Sequence, residues 1–447
     1  MKKYLIPLMM ITLSILQLSA LDLSLEEYMK LVEENSKDLY LANIDQELAD
    51  VQDKLVRSQT KPMIAAGATY DRNFNEITIP YAAGAIPTIN ADTGMYDLYY
   101  ADVPYNSKND VSLSIGVQQL LFDMKVFKAL EASRQYRAMT ETIYEASRQG
   151  VLTAAKQLYY QTVLLDEVYK VKAATQQNAH DTYLEIQKKY DNELASELDV
   201  LQAEVNWKIN IPEETKAERN RDIALSNLKF LAGINTEEEV ILTDTLSTTP
   251  SAVKDIQMGE ILSSRPDYQA MRGELTLREI NISATRAEFY PSLSASLGYG
   301  WTASSDSFEF DDGTGLLQAG LSLTVPIYYG GSRFAKMEQV RLEKERSQVS
   351  LIKKQDEIQT QINNLQLLLD ESSSRIISAE TTLETAVKAY NIMEISSLNG
   401  LATQLDLKDA RLNLSGAQLN YYSAIYDYLD SYFQWQQAIG EGDKLPY

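Results

Sequence analysis

The chain has 447 residues, with 41 Lys and Arg against 63 Asp and Glu, for a formal net charge of −22. That acidity excludes nucleic acid as a partner, because phosphates need basic neighbours. The absence of Cys excludes disulfides, thiolate catalysis, Cys-ligated metals and a lipid-modified N-terminal Cys, and the single His180 cannot build a His-based metal site.

The N-terminus reads as a secretory signal over residues 1–20. Lys2 and Lys3 precede an apolar run from Tyr4 to Leu16, and Leu18-Ser19-Ala20 forms a small-residue cleavage site. The run is shorter than the ~20 residues of a spanning helix. No later segment is long and apolar enough to span as one.

The rest of the chain reads as two similar halves, 21–237 and 238–447. Thr60-Lys61-Pro62-Met63-Ile64-Ala65 matches Phe289-Tyr290-Pro291-Ser292-Leu293-Ser294, and Gln119 to Asp123 matches Val325 to Tyr329. Leu194-Ala195-Ser196-Glu197-Leu198-Asp199 matches Leu401-Ala402-Thr403-Gln404-Leu405-Asp406, and Leu231-Ala232-Gly233 matches Ala438-Ile439-Gly440. The last three pairs share an offset of about 207 residues, the mark of an internal repeat. Each half is expected to run helix, strand, loop, strand, long helix, bend, long helix.

Strands are expected at about 62–71 and 111–121 in the first half, and at about 291–302 and 317–327 in the second. Leu293, Ala295, Leu297, Tyr299 and Trp301 alternate with Ser292, Ser294, Ser296, Gly298 and Gly300. Ala319 to Ile327 and Val111 to Val117 follow the same rule, which gives a sheet one apolar face and one face of small polar residues. Such faces suit lipid on one side and a water-filled lumen on the other, and Tyr299 and Trp301 suit an interfacial belt. Four strands cannot close a barrel, and lipid tolerates no open edge, so if these strands span a membrane several chains must share one barrel. The long Tyr-rich stretch Asp71 to Asp110 and the stretch Thr302 to Gly315 read as loops joining paired strands on the outside.

Long helices are expected at about 125–231 and 333–439. Lys125 to Tyr190 has no Pro and one Gly, and Arg333 to Asn399 has neither. Each is some 65 residues, or ~95 Å if continuous. Leu351, Ile358, Ile362, Leu365, Leu369, Ile376 and Leu383 recur at the spacing of coiled-coil packing.

The ordered set of segments resembles the TolC-like outer-membrane efflux family. Leu23-Ser24-Leu25-Glu26-Glu27 with Glu34 to Leu39 resembles its opening helix, and Ala287 to Leu293 the approach to its second strand pair. Leu321 to Gly331 resembles its strand-to-helix turn with Gly at the reversal, and Gly400 to Ala410 its second helical hairpin. The resemblance implies a mixed α and β fold, in which long antiparallel coiled-coil helices form an α-helical barrel. Four strands per chain would join a 12-stranded transmembrane β-barrel shared by a homotrimer. It implies an exit channel for tripartite efflux or type I secretion, lying in the outer membrane and extending into the periplasm. Its partners would be a periplasmic adaptor protein, an inner-membrane transporter and outer-membrane lipid, and no cofactor is implied. Asp406 and Asp409 match positions that form acidic rings at the periplasmic aperture, with Asp199 equivalent in the first half. The chain departs from the family at Asp123-Met124-Lys125, which lacks a Gly pair, and at Ala402, where some members carry a basic latch residue.

Two other readings stand beside this one. An enzyme would need a nucleophile and base, a phosphate loop or a metal spacing, and none is present. A surface adhesin or structural porin-like protein would not need long helices so poor in Pro and Gly.

Overall fold

The computed structural model describes residues 21–89, 92, 94, 96–247, 250, 256–399 and 401–445. The expected signal segment, 1–20, lies outside them, as does Gly400. In chain order the elements are β1 (Leu21–Leu23), α1 (Leu25–Asn35), α2 (Lys37–Ser58), β2 (Met63–Arg72), β3 (Thr78–Ile89), β4 (Tyr96–Pro104), β5 (Asn109–Asp123), α3 (Met124–Asp191) and α4 (Glu197–Ala232). They continue with β6 (Val240–Leu242), α5 (Met258–Ser264), α6 (Pro266–Ala287), β7 (Ser292–Ser305), β8 (Thr314–Thr324), α7 (Ser332–Leu398) and α8 (Gln404–Ala438). α3 and α7 have 68 and 67 residues, and α4 and α8 have 36 and 35. No described helix is long and apolar enough to cross a membrane.

The chain packs as two units. The first comprises Met1–Leu48, Ala138–Glu274 and Gln348–Tyr447. Its helices bury apolar side chains at coiled-coil intervals. Along α7, Ile358, Ile362, Leu365, Leu369, Ser372, Ile376 and Ala379 are all buried, in alternating steps of four and three. They join a core with Tyr28, Leu152, Tyr159, Leu228, Ile425, Leu429 and Phe433. The first described strand is fastened to this core. β1 pairs in parallel with β6, Leu21 opposite Val240 and Leu23 opposite Leu242. The Tyr159 hydroxyl donates to the Leu23 carbonyl at 2.8 Å, and the Leu25 N–H donates to Asp244 at 2.8 Å.

Two cations are buried in this unit, and each has partners, because an unpaired buried charge is costly. Lys156 Nζ donates to Gln436 Oε1 at 2.8 Å and to the Lys444 carbonyl at 2.9 Å, which ties down the C-terminal segment. Burial pushes its pKa down to about 8. Arg265 joins α5 to α6. Its Nε and Nη2 reach both oxygens of Asp267 at 3.0 and 2.8 Å, while Nη1 donates to the Ala438 carbonyl and Gln361 Oε1, each at 3.0 Å. Lys354 adds a second cation 3.0 Å from Asp267.

The second unit comprises Ala49–Arg137 and Leu275–Ser347. Its sheet has the order β2-β5-β7-β8, antiparallel throughout. The register carries the sequence alternation across all four strands. Ile64 opposes Val117, Val117 opposes Leu297, and Leu297 opposes Ala319. Small polar residues meet one another on the other face, as at Ser294 opposite Ser322, with the Thr69 and Ser112 hydroxyls 2.6 Å apart. The apolar face is uncovered within the chain: Ile115 is 52%, Leu297 50% and Leu323 65% exposed. Trp301 lies across the backbone of the loop before β8, where a Cβ on Gly313 would fall 2.1 Å from its ring.

Two boundaries correct the sequence reading. β8 ends at Thr324 and not Ile327, because Pro326 has no N–H to give a ladder. The stretch Asp71 to Asp110 is not a plain loop but contains the hairpin of β3 and β4, in which Ile79 opposes Val103 and Tyr81 opposes Ala101. Asparagines stitch its base: Asn73 Nδ2 donates to the Ser107 carbonyl and to Asp110, and Asn106 Nδ2 to the Asn75 carbonyl.

The Arg265 cluster sets an acid limit. Burial alone would raise the Asp267 pKa, but hydrogen bonds and charge from Arg265, then from Lys354, outweigh it and hold it at about 2 against an ordinary 3.8. The carboxylate is thus stabilising above pH 3.8, and that contribution fades as pH falls through 3.8 toward 2. Thermal unfolding followed by circular dichroism should show Asp267→Asn lowering Tm at pH 6 and having progressively less effect below pH 3.

Candidate functional site

The residues expected at the aperture lie where one long helix turns into the next. In the first hairpin α3 ends with a left-handed residue. Glu193 has φ 61°, its N–H donates to the Tyr190 carbonyl, and Leu194 N–H reaches back to the Lys189 carbonyl, both at 2.8 Å. That double bond pattern satisfies the last carbonyls of a helix and normally selects Gly at the left-handed position. In the second hairpin Leu401 N–H reaches the Ser396 carbonyl at 2.8 Å in the same way, with Gly400 preceding it in the sequence.

The next helix then begins with a reciprocal cap. Ser196 Oγ and N–H both donate to Asp199 Oδ2, at 2.7 and 2.9 Å, and Asp199 N–H donates back to Ser196 Oγ at 3.2 Å. Thr403 and Asp406 repeat the arrangement at the start of α8, at 2.6, 3.0 and 3.2 Å. Asp199 and Asp406 are therefore the third helical residues of two capping boxes. The spacing Ser-x-x-Asp and Thr-x-x-Asp was visible in the sequence as a helix-start signal. Hydrogen bonds from the side chain and then the backbone of Ser196 lower the Asp199 pKa, and those from Thr403 lower that of Asp406. Both are fully exposed carboxylates held in the ionised form. Asp409 lies one turn into α8 and is exposed, while Leu407 between them is buried.

Beside these turns is a groove of about 620 Å³ lined from α3, α4, α7 and α8. Asp199, Lys408, Tyr390 and Arg411 line it, and neither Asp406 nor Asp409 does. Arg411 crosses it. Its Nη1 donates to Thr182 Oγ1 of α3 at 3.0 Å, and its guanidinium lies 6.0 Å from the Tyr390 ring of α7. Tyr390 donates to Glu394 at 2.6 Å. Among the described residues nothing accepts from the buried Arg411 Nε. This cation, one the sequence reading overlooked, stands near a turn where Ala402 brings no charge. No group of residues that could hold a metal occurs among those described.

A family model described as outer membrane efflux protein matches residues 29–234 and 258–441. The chain belongs to the outer membrane efflux protein family. It is 23% identical over 401 residues to the outer membrane protein TolC of Vibrio cholerae, spanning 85% of this chain and 87% of that protein. It is 21% identical over 342 residues to the alkaline protease secretion protein AprF of Pseudomonas aeruginosa, spanning 74% and 70%. Among solved structures, the Campylobacter jejuni CmeC outer membrane channel covers 94% of this chain, which covers 86% of it, at 21% identity and a TM-score of 0.74. The Neisseria gonorrhoeae MtrE channel in its open state covers 94%, with 89% of its own length matched, at 18% identity and a TM-score of 0.73. These likenesses establish the fold as that of outer-membrane efflux channels.

The first helix turn carries strain at Glu193, since a non-Gly residue in the left-handed region costs ~1 kcal/mol or more. Glu193→Gly should raise stability by ~0.5–1 kcal/mol, while Thr403→Ala should lower it by about 1 kcal/mol through loss of the cap. Chemical denaturation of the purified protein checks both signs.

Proposed function

We propose that the chain is the passive outer-membrane exit channel of a tripartite efflux or type I secretion system, and not an enzyme. The observation that carries this reading is the four-stranded sheet. It has one exposed apolar face, one small polar face, and outer strands β2 and β8 with no further partner among the described residues. Hydrocarbon leaves no room for unpaired ladder groups, so β8 of one copy must meet β2 of the next. Three copies give a 12-stranded barrel with an aqueous lumen, and the strand lengths of 10 to 15 residues suit tilted spanning. The order helix, strands, long helix, second helix occurs once in 21–237 and once in 238–447, which supports reading these as structural repeats.

Residues 1–20 act as a cleaved signal peptide in this reading, and a chain with no Cys has no site for a lipid anchor. The long helices stand in the periplasm, where an adaptor protein and an inner-membrane transporter complete the path and supply the energy. No cofactor is required. Insertion into planar bilayers tests the reading directly: stepwise conductance supports it, and failure to insert would sink it. On the sheet, Leu297→Arg or Leu323→Arg should cost ~2–4 kcal/mol near the bilayer midplane, while Ser296→Arg or Ser322→Arg should be mild. Heat-modifiability on gels and yield of assembled trimer measure the difference. Equal tolerance on the two faces would defeat the assignment.

At the helix turns, Asp406 and Asp409 are three residues apart on one helix face, and three copies around an axis would form rings of carboxylates, with Asp199 nearby in the first half. Such rings attract cations and repel one another, which raises pKa, whereas the Thr403 cap lowers that of Asp406. The cap therefore helps keep the ring charged. Replacing both Asp406 and Asp409 should weaken cation selectivity and block by multivalent cations in single-channel recordings. Because Asp406 also caps α8, the Asn pair is the cleaner variant: it removes charge and keeps an acceptor. Asp370→Asn and Glu371→Gln should change little.

A further inference from the structure

After β8 the chain passes through Val325 to Tyr329 and reverses at Gly330 and Gly331, whose φ values of 61° and 82° suit glycine. This junction is strongly apolar and uncovered. Ile327 is 90% exposed, Tyr328 76% and Phe334 68%. Within it stands Arg333, half-buried, its guanidinium carbon 4.0 Å from the centre of the Tyr329 ring and 5.5 Å from that of Phe289. Phe289 in turn lies 5.7 Å from Phe334. One hydrogen bond of Arg333 is made, from Nη1 to the Pro326 carbonyl at 3.3 Å. Among the described residues no carboxylate lies within ion-pair distance of it. The neighbouring cations differ: Lys336 pairs with Glu288, Lys125 with Asp123 at 3.7 Å and Lys128 with Glu131 at 2.6 Å. In a chain with 63 acids and 41 bases, a guanidinium with no ion-pair partner in an aromatic collar offers its remaining donors to an external anion.

We propose that Arg333 binds the phosphate of a glycerophospholipid, in the leaflet on the long-helix side of the membrane. A guanidinium fork matches two phosphate oxygens, aromatic rings sit at headgroup level, and the exposed Leu321, Leu323 and Val325 offer a path for the acyl chains. A second copy of the chain fits less well. If β8 meets the next copy's β2, the residues arriving at this end lie between Arg57 and Met63, where Arg57 is already paired with Asp53 at 2.6 Å and Lys61 is the other charged residue. Lys61 adds positive charge and strengthens the case for phosphate. The inference rests on the barrel reading above.

The test uses the full chain, assembled in detergent and stripped of lipid. Native mass spectrometry follows titration with dioleoylphosphatidylglycerol, and separately with dioleoylglycerol, which has the same chains and no phosphate. The wild type should take up the phospholipid well ahead of dioleoylglycerol. Arg333→Gln should weaken that uptake about tenfold, which corresponds to ~1.4 kcal/mol, and Arg333→Lys should keep most of it. Equal uptake by Arg333→Gln and wild type, or equal uptake of the two lipids, overturns the site. A Gln variant that falls to monomers without added lipid assigns Arg333 to the contact between copies, and also overturns it. Bilayer recordings of the same samples separate the two ideas. Conducting proteins with equal lipid uptake remove the phosphate site alone, whereas a wild type that never inserts removes the channel reading.

Discussion

Ladder hydrogen bonds at the two edges of the four-stranded sheet govern the rest of the molecule. β5 and β7 have a neighbour strand on each side, while β2 and β8 each turn one side outward. In water such edges are tolerable if charged or short. In hydrocarbon they are not, and β2 carries charge only at its last two residues, Asp71 and Arg72. The same chain whose strands demand neighbours also leaves apolar side chains uncovered along α4 and α7, such as Leu198, Leu201, Val205, Ile352 and Ile392. The proposed assembly of several copies would answer both demands at once, the sheet by hydrogen bonding and the helices by packing.

Much of this was legible in the sequence because it is periodic. The two-residue alternation of Leu293 to Trp301 survives as one face of a sheet, and the register matches it to Val111 to Val117 and Ala319 to Leu323. The heptad-like spacing of Ile358 to Ile376 survives as a buried seam. The hairpin of β3 and β4 was hidden by Pro80, Pro87 and Pro104, which punctuate like loop residues yet are accommodated at strand edges or ends. Arg265 and Arg411 were illegible for another reason. Their partners lie far along the chain, Ala438 for one and Thr182 for the other, and no local pattern encodes such a meeting.

The candidate aperture shows how one carboxylate serves two ends. Asp406 satisfies the first amides of α8 through its reciprocal cap with Thr403, and the same bonds keep it ionised. Reading it only as a pore residue, or only as a cap, omits half of its chemistry. The matching cap at Ser196 and Asp199 differs in its surroundings, since Asp199 borders the groove that Arg411 crosses. Two turns of similar design therefore present different electrostatic faces.

The parallel pairing of β1 with β6 has a consequence for how the molecule forms. Leu21 finds Val240, and Leu25 fastens to Asp244, across a sequence separation of 219 residues. Contacts of such range close late, because the entropy of a long loop is lost before the contact repays it. The first three described residues thus wait on a strand that is made only after half of the polypeptide. Until then Leu21 and Leu23 have no strand partner, and the still longer contacts of Lys156 with Gln436 and Lys444 remain to be made.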